Sequence, residues 1–471
     1  MRWWFTYWSR HGVPGPNFME YELFYSIHHH YILKAVQKYG RIYGTYLGTG
    51  RSLVVNEPDL IRDIMVKDFR VFADHKHIHN GSTKIAKDLY LMHGNDDWKR
   101  VRSAVTPAFT SSKMRAMMDS IGDIFDTFCD NLRKFQTKGE TIDIREYMGA
   151  LTMDVICRCA YGINPESIHN PNHPIVTNAK KILTVDASMN MVTSVLAPGL
   201  AKMLNLELFD KNALTYFDKL TNQILTQRKT INNIADKYSE MADNDIGYHS
   251  LSDGERDVSP ESMSKRPTSQ LTPDEMTAQG VSFFIGGYNS TSTALTHAIY
   301  YLSLHPECQQ KLYSELKTCD EYTYETLGLL KYLNAVINET LRLAPSLTRI
   351  QRECLMDYKL GNTGITIPKG TCVEIYPYTL HRDPDYWPNP NDFLPDRWFE
   401  STHHPYAYVP FGGGPRQCIG QRFAITEMQM CLAKLIRKFE FSLAQTSKLD
   451  YFVCNALMSP KKLLVQLALR S

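Results

Sequence analysis

The sequence predicts a mainly α-helical protein with a small β-rich part. Apolar residues recur at helical spacing across residues 421–439, which predicts a long helix near the C-terminus. A second long helix is predicted over residues 273–304, because it starts with an N-cap threonine, a proline and a capping-box glutamate. Strand signals are short: a hairpin within residues 43–55 and runs at residues 349–354 and 371–376.

The length and composition are those of an ordinary globular chain. The protein has 471 residues, of which 43% are hydrophobic and 22% charged, and its formal net charge is +2. Length alone would suggest about three domains, but no repeat or long low-complexity linker divides the chain, so we expect a single domain over residues 17–471. The near-neutral charge gives no reason to expect a nucleic-acid partner. Ten scattered cysteines are too few for a disulfide scaffold and favour a reducing compartment.

The N-terminal segment, residues 1–16, differs from the rest of the chain. Its first ten residues contain five aromatic side chains between Arg2 and Arg10, a composition that suits a membrane–water interface. Residues 12–16 are rich in proline and glycine and predict a rigid turn-forming stretch. The sequence contains no run of 18 or more apolar residues, so no ordinary transmembrane helix is predicted.

The glycine-rich loop at residues 411–420 contains one cysteine, Cys418, just ahead of a predicted helix. Backbone N–H groups at a helix N-terminus favour a thiolate over a thiol. Such a thiolate could be a nucleophile, a redox thiol or a metal ligand, but the spacing fits neither a Cys-x-x-Cys redox pair nor a zinc knuckle. The glycines would let a large group approach the backbone. Arg416 is suited to an acidic group of a bound cofactor, and Phe411 could cover the sulfur.

These residues form a recognisable motif. The pattern Phe-x-x-Gly-x-Arg-x-Cys-x-Gly is complete, and it resembles the haem-binding loop of the cytochrome P450 superfamily of haem-thiolate monooxygenases. The chain most resembles the animal microsomal clan that oxidises xenobiotics. The resemblance implies haem b (iron protoporphyrin IX) as the cofactor, with Cys418 as the metal ligand. It also implies the P450 fold, with the haem between the long oxygen-binding helix and the helix after the cysteine loop.

The resemblance implies further contacts with the haem. Trp98 and Arg102 are four residues apart and would share one face of a helix; taken alone, they are more simply read as a basic helix with a core tryptophan. The family uses such a pair to bind a haem propionate, and Arg352 matches another propionate position, for which a surface charge on a strand is the alternative. The cofactor-binding residues so implied are Trp98, Arg102, Arg352, Phe411, Gly414, Arg416, Cys418 and Gly420.

Residues 286–293 combine two glycines with several hydroxyl side chains inside the predicted long helix. Each glycine costs about 1 kcal/mol of helix stability relative to alanine, and a local conflict of this kind often marks function. The stretch resembles the family's oxygen-binding segment, with Asn289 in place of the usual acid and Ser290 in place of threonine, followed by Thr291. The resemblance implies that these three residues handle protons. Because an amide does not exchange protons by titration, we expect slower oxygen activation or a reaction without dioxygen.

A structural cluster is implied by three further residues. Glu339 and Arg342, three residues apart on a predicted helix, could be an ordinary surface pair. In the family, a glutamate and an arginine at this place join a second arginine, here Arg397, in a buried cluster that holds the segment leading to the haem loop. Removing one member of a buried charge network typically costs about 3–5 kcal/mol.

The resemblance implies a haem-thiolate monooxygenase that inserts one oxygen atom of O2 into an apolar small molecule. The implied partners are NADPH–cytochrome P450 reductase, with cytochrome b5 as an additional candidate, and the membrane surface. The implied location is the cytoplasmic face of the endoplasmic reticulum membrane, with residues 1–16 as interfacial segment and hinge and the anchor helix absent from this sequence. The residues expected to line the substrate pocket are Phe283, Phe284, Leu347, Thr348 and Leu457.

Two alternative functions stay open at this point. One is a haem-thiolate isomerase or dehydratase that acts on a peroxide without O2. The other is a non-catalytic haem protein that binds ligands. Consumption of NADPH in the presence of a reductase would separate the monooxygenase from the isomerase, whereas binding of apolar ligands without turnover would favour the non-catalytic protein.

Overall fold

The computed structural model describes residues 6–16, 28–47, 50–76, 87–183, 190, 193–194, 197–206, 209–238, 271–400, 402–452 and 457–470. Within these residues the chain is mainly helical, with short strands in three small sheets, so the predicted fold class is confirmed. The helices are α1 (Tyr7–Arg10), α2 (His28–Tyr39), α3 (Pro58–Arg62), α4 (Asp96–Val105), α5 (Ser111–Lys138), α6 (Ile144–Tyr161), α7 (Pro174–Leu183), α8 (Pro198–Met203), α9 (Lys211–Tyr238), α10 (Pro273–Leu304), α11 (Pro306–Leu316), α12 (Tyr324–Leu329), α13 (Lys331–Leu343), α14 (Pro377–Leu380) and α15 (Gln421–Lys438). The strands are β1 (Ile42–Leu47), β2 (Gly50–Val55), β3 (Ile142–Asp143), β4 (Ile350–Glu353), β5 (Tyr358–Lys359), β6 (Thr366–Ile367), β7 (Cys372–Ile375), β8 (Phe439–Leu443) and β9 (Leu464–Leu469).

Helix α10 is the long helix predicted over residues 273–304, and its N-terminus has the predicted capping box. The hydroxyl of Thr272 accepts from the backbone N–H of Glu275 (3.3 Å), and the carboxylate of Glu275 accepts from the backbone N–H of Thr272 (2.8 Å). The second half of α10 is buried in the largest hydrophobic cluster, where it packs against α6, α13 and α15. The helix therefore crosses the interior of the molecule.

Helix α15 begins three residues after Cys418 and ends at Lys438, as the apolar spacing predicts. Leu432, Leu435 and Ile436 are fully buried in the same cluster. Because α15 packs against both α5 and α10, the loop ahead of it has a fixed position relative to α10.

The β-rich part is built mainly on one four-stranded sheet with the order β1-β2-β7-β4. The predicted hairpin is confirmed, with Tyr43 of β1 opposite Val54 of β2; the turn residues 48 and 49 lie outside the described part of the chain. Strand β7 is parallel to β2 and antiparallel to β4, so the two predicted runs at residues 349–354 and 371–376 are also strands. Strand β4 places Arg352 in the interior.

The described part of the N-terminal segment packs onto the domain. Trp8 is only 3% exposed, and its indole N–H donates to the backbone carbonyl of Thr45 in β1 (3.0 Å). A Cβ atom on Gly44 would lie 2.0 Å from the Trp8 ring, so this contact needs glycine. Of the five aromatic residues in this segment, Trp8 is thus used in protein packing, and residues 1–5 lie outside the described chain. Among the described helices, none is long and apolar enough to cross a membrane.

Candidate active site

The loop that presents Cys418 is a tight turn whose shape depends on glycine. Gly414 has a φ of +68°, and a Cβ atom there would lie 2.0 Å from the carbonyl oxygen of Met65. Both the backbone conformation and the close approach exclude other residues. The backbone N–H of Cys418 donates to the carbonyl of Phe411 (3.0 Å), which closes the loop directly before α15. Phe411 itself is half-buried against the core.

Cys418 is exposed even though protein surrounds it. Burial raises the pKa of its thiol, while the backbone N–H of Gly420 and the charge of Arg102 lower that pKa by less. A side chain that is both accessible and surrounded by protein faces an internal cavity. The backbone N–H thus favours the thiolate as expected, but burial has the larger and opposite effect on the pKa of Cys418. A metal cation at the sulfur would supply the charge that deprotonates a coordinating thiol.

Arg416 is buried and its guanidinium is bound to three backbone carbonyls. Nε donates to Ala73 (2.9 Å), Nη1 to Leu89 (2.7 Å) and Nη2 to Met92 (2.6 Å). The guanidinium also stacks over the ring of Trp98, 4.3 Å from its centroid. Arg416 thus fixes the segment around residues 89–92 at the edge of the cavity, and some of its N–H groups remain for another acceptor.

Arg352 and Arg102 bring two more positive charges to this region. Arg352 is 2% exposed, its Nη1 donates to the carbonyl of Gln351 (2.7 Å), and its Nε has no partner among the described residues. Burial lowers the pKa of Arg352 to about 10. Arg102 donates to the carbonyl of Gln417 in the cysteine loop (2.9 Å). Burial lowers the pKa of Arg416 to about 10, and the other two arginines add to that effect. An acidic group would be stabilised among these three cations.

Trp98 and Arg102 share α4, as predicted, but they make different contacts. Asn95 caps the helix by accepting from the backbone N–H of Trp98 (3.1 Å). Trp98 is 3% exposed and packs beneath Arg416, whereas Arg102 is half-buried and reaches the loop that presents Cys418. The structure therefore brings all three arginines and the tryptophan to one region.

The three residues of α10 that were predicted to handle protons differ in how exposed they are. Ser290 is half-buried and its hydroxyl donates to the carbonyl of Gly286 (2.6 Å), one turn earlier. Gly286 is exposed, and an added Cβ would meet no atom within 4 Å. Asn289 and Thr291 are 5% and 3% exposed. Of the three residues expected to handle protons, Ser290 is thus the most exposed.

Phe109 connects this face of α10 with the cysteine loop. Its ring packs edge-on against Phe283 of α10, with centroids 5.7 Å apart. The same ring is the nearest group, at 3.8 Å, to a Cβ atom added at Gly420. The α10 face and the loop therefore border the same cavity, and packing within the protein does not require glycine at position 420.

The predicted pocket residues divide into two groups. Leu347 is 38% exposed and pairs with Leu457 in an isolated antiparallel bridge, and Leu457 and Phe283 are half-buried. Phe284 and Thr348 are fully buried. The expectation that Phe284 lines the pocket is wrong, because its ring stacks face to face on an aromatic ring of α6 with centroids 4.0 Å apart.

The structure brings Glu339, Arg342 and Arg397 together. Two nitrogens of Arg342 donate to the two carboxylate oxygens of Glu339, each at 2.8 Å. Nε of Arg397 donates to the same carboxylate at 3.0 Å. The backbone N–H of Leu394 (2.9 Å) and the indole N–H of Trp398 (3.0 Å) complete its hydrogen bonds. This fully buried carboxylate thus joins α13 to the segment around residue 397.

Two contacts of Asn289 were not predicted from the sequence. Its side-chain oxygen accepts from Arg145 (3.4 Å) and from Ser459 (3.3 Å), which lie 144 and 170 residues away in the chain. No local pattern in the sequence indicates such contacts, since spacing on one helix predicts only neighbours three or four residues apart.

The side chains around Cys418 fit a planar cofactor with acidic side groups and a metal. The cavity presents an accessible sulfur, two further arginines and a nitrogen of Arg352 that has no partner in the described part of the chain. Gly286 and Gly420 leave space where any other side chain would project. A family model for Cytochrome P450 matches residues 11–467.

The chain belongs to the cytochrome P450 family. This cytochrome P450 is 33% identical over 471 residues to Cytochrome P450 3A29 of Sus scrofa, covering 96% of this chain and 90% of that protein. It is 34% identical over 472 residues to Cytochrome P450 3A12 of Canis lupus familiaris, covering 96% and 90% of the two chains. It is 34% identical over 441 residues to Cytochrome P450 3A5 of Homo sapiens, covering 91% and 84%.

Family membership makes this cytochrome P450 a haem-thiolate monooxygenase, an oxidoreductase with haem b as its cofactor. The predictions of family, fold, enzyme class and cofactor are confirmed. The roles assigned to individual residues remain predictions.

Proposed function

We propose that this cytochrome P450 inserts one oxygen atom of O2 into an apolar small molecule, using electrons from NADPH–cytochrome P450 reductase. The observation that carries the proposal is Cys418, whose sulfur is accessible inside a cavity bordered by three arginines and by the Gly286–Ser290 face of α10. When bound, haem b supplies the redox-active iron that activates O2.

The proposed role of the cysteine loop and the arginines is to hold the cofactor. Cys418 is the metal ligand, on a turn that Gly414 makes possible and Phe411 covers. Arg102, Arg352 and Arg416 bind the propionates, and the clearest donor for them is the Nε of Arg352, which no described residue accepts from. Trp98 supports Arg416 from below through its ring. Gly420 lets the cofactor approach the start of α15.

The proposed role of α10 is to hold and move protons. The hydroxyl of Ser290 is accessible, and its Oγ can accept a hydrogen bond from water while its O–H donates to the carbonyl of Gly286. Asn289 orients water beside it, and Thr291 supports the same turn of the helix. Serine has a less restricted χ1 than threonine, so this hydroxyl is less rigidly placed than the residue usual in the family.

The proposed substrates are apolar small molecules, foreign compounds among them. Leu347, Leu457 and Phe283 give the cavity an apolar lining near Ser290. We place the enzyme at the cytoplasmic face of the endoplasmic reticulum membrane, with cytochrome b5 as an additional electron donor. The similarity to the 3A proteins supports these assignments.

A second candidate function is isomerisation or dehydration of a peroxide substrate. The observation that favours it is Asn289, because an amide at this position carries no proton that it can exchange by titration. This alternative requires neither O2 nor a reductase, so it predicts product formation from an organic peroxide without NADPH.

The decisive experiment combines a spectrum with a turnover assay. We expect the reduced protein with carbon monoxide to show the long-wavelength Soret band of thiolate-ligated haem, and Cys418→Ala to lose it. Cys319→Ala, which removes a half-buried cysteine on the C-terminal side of α11, is the matched control and should keep the band. With NADPH and reductase, the wild-type protein should consume NADPH and oxidise an apolar substrate. A wild-type protein without the thiolate band, or with product from a peroxide alone, would contradict the proposal.

A further inference from the structure

The side-chain oxygen of Asn289 accepts from three donors on three different parts of the chain. Arg145 of α6 donates through Nη2 (3.4 Å), Ser459 through its hydroxyl (3.3 Å) and Thr293, one turn further on α10, through its hydroxyl (3.5 Å). Arginine has no acceptor, so the contact with Arg145 determines which end of the amide is the oxygen. The orientation of Asn289 is therefore imposed from outside α10.

Arg145 and Ser459 are themselves held in place. Nε of Arg145 donates to the carbonyl of Pro460 (2.8 Å), so its guanidinium binds the residue next to Ser459. Asp143, the N-cap of α6, accepts from the backbone N–H of Arg145 (3.3 Å) and from the backbone N–H of Leu463 (3.0 Å). The first turn of α6 and the segment around residues 459–463 thus form one polar support for Asn289.

Ser459 is buried and Arg145 extends toward the surface. Ser459 is 2% exposed and its hydroxyl also lies 3.2 Å from the hydroxyl of Thr293, whereas Arg145 is half-buried. Within the described part of the chain, the hydrogen bonds of the Asn289 side chain are all made by its oxygen. With its oxygen bound to these donors, Asn289 has the two N–H groups of its amide nitrogen to offer to another acceptor.

We propose that Arg145 and Ser459 are positioning residues for proton delivery: they fix the Asn289 amide so that it orders the water that supplies protons to Ser290. This inference rests on the proposed function. In the balanced reaction, substrate RH, O2, NADPH and H+ give ROH, H2O and NADP+. When protons are misdirected, O2, NADPH and H+ give H2O2 and NADP+ instead. The amount of ROH formed for each NADPH consumed therefore measures how well Asn289 is positioned.

The first test is a double-mutant cycle in thermal unfolding, which needs no turnover. Asn289→Asp places a carboxylate against Arg145, so with Arg145 intact the melting temperature should change little. In an Arg145→Met background the same carboxylate is buried without a cation, and the melting temperature should fall by about 5 °C or more. Equal changes in the two backgrounds would show that Arg145 does not act on position 289 and would overturn the inference.

The second test measures ROH formed per NADPH consumed. Arg145→Met should lower this ratio about tenfold, less than the loss of about 100-fold or more for removing an acid–base group itself. Its carbon monoxide spectrum and substrate-binding spectrum should stay those of the wild type, and Arg145→Lys should restore part of the ratio. The control is Arg158→Met, which removes another half-buried arginine of α6.

The two proposals fail in different ways. A wild-type protein that lacks the thiolate spectrum or NADPH-dependent product contradicts the proposed function before any of these variants is made. A wild-type protein that turns over normally, with equal ROH yields for Arg145→Met and Arg158→Met, overturns only the positioning role.

Discussion

Glu427 of α15 is a fully buried carboxyl group whose two oxygens have no hydrogen-bond partner among the described residues. Burial raises the pKa of this group well above its ordinary value of 4.5, so the folded protein keeps the proton to a higher pH than the unfolded chain does. The unfolded chain loses the proton once the pH exceeds that ordinary value. Folding therefore takes up a proton, and stability falls as the pH rises from about 4.5 toward the folded-state pKa.

We predict that Glu427→Gln becomes increasingly more stable than the wild type as the pH rises. The amide has the same size as the carboxyl group and does not titrate. The variant therefore lacks the loss in free energy of unfolding that the wild type suffers, which grows by at most about 1.4 kcal/mol per pH unit. The two melting temperatures should converge near pH 5 and separate by pH 8. Glu440→Gln, at an exposed position of β8, is the control and should follow the wild type. Parallel curves for Glu427→Gln and wild type would mean that the carboxyl is ionised in the folded protein.

Some residues of the site could be predicted from their neighbours in the sequence, whereas others could not. The role of Cys418 could be predicted because adjacent residues determine its surroundings. Gly414 shapes the turn, and α15 begins directly after the loop. Arg145 could not be found, because its contact with Asn289 joins residues 144 positions apart. Burial of Cys418 also outweighs the effect of the backbone N–H on its pKa, and the sequence does not show how much protein surrounds the sulfur.

At the level of elements, α13 is joined to the loop before the cysteine segment through charged groups. Arg342 binds Glu339 and also donates to the carbonyls of His381 (2.8 Å), Pro390 (2.7 Å) and Asp392 (3.0 Å). Both Arg342 and Glu339 are fully buried. The helix thereby fixes a long irregular segment that has little regular hydrogen bonding of its own.

Glu339→Gln should destabilise the protein by about 3–5 kcal/mol, because it leaves the buried charge of Arg342 without a carboxylate. Urea unfolding at constant pH would measure the change. The comparison variant is Glu325→Gln, which breaks the exposed ion pair with Arg115 and should change stability little. If both variants unfold at the same urea concentration, the cluster does not hold this segment.

Helices with strong end signals were predictable as whole elements. α10 has a capping box at Thr272 and α15 has an apolar stripe, and both begin and end near the predicted positions. Trp8 shows why the N-terminal segment was harder to predict. An aromatic residue suits a membrane interface and a protein core equally well, and only the space left by Gly44 selects the core.

For the molecule as a whole, buried histidines determine how the fold responds to acid. Burial lowers the pKa of His29 and His381 to about 3 and that of His297 to about 4. His381 is a clear case, since its Nε2 accepts from the backbone N–H of Val409 (2.9 Å) and is thus the unprotonated nitrogen. A second proton on this ring would remove the acceptor that this N–H group uses.

We predict that the protein loses stability steadily as the pH falls below about 6.5. In that range the unfolded chain binds protons on these three histidines and the folded protein does not, so stability decreases until the pH reaches 4 for His297 and 3 for His29 and His381. Each histidine contributes at most about 1.4 kcal/mol per pH unit. Urea unfolding between pH 7 and pH 5 should therefore show a lower midpoint at each step, and His297→Gln should reduce the slope. His11→Gln, at an exposed position, should leave the slope unchanged. A slope that His297→Gln leaves unchanged would mean that this histidine is protonated inside the fold, which its burial opposes.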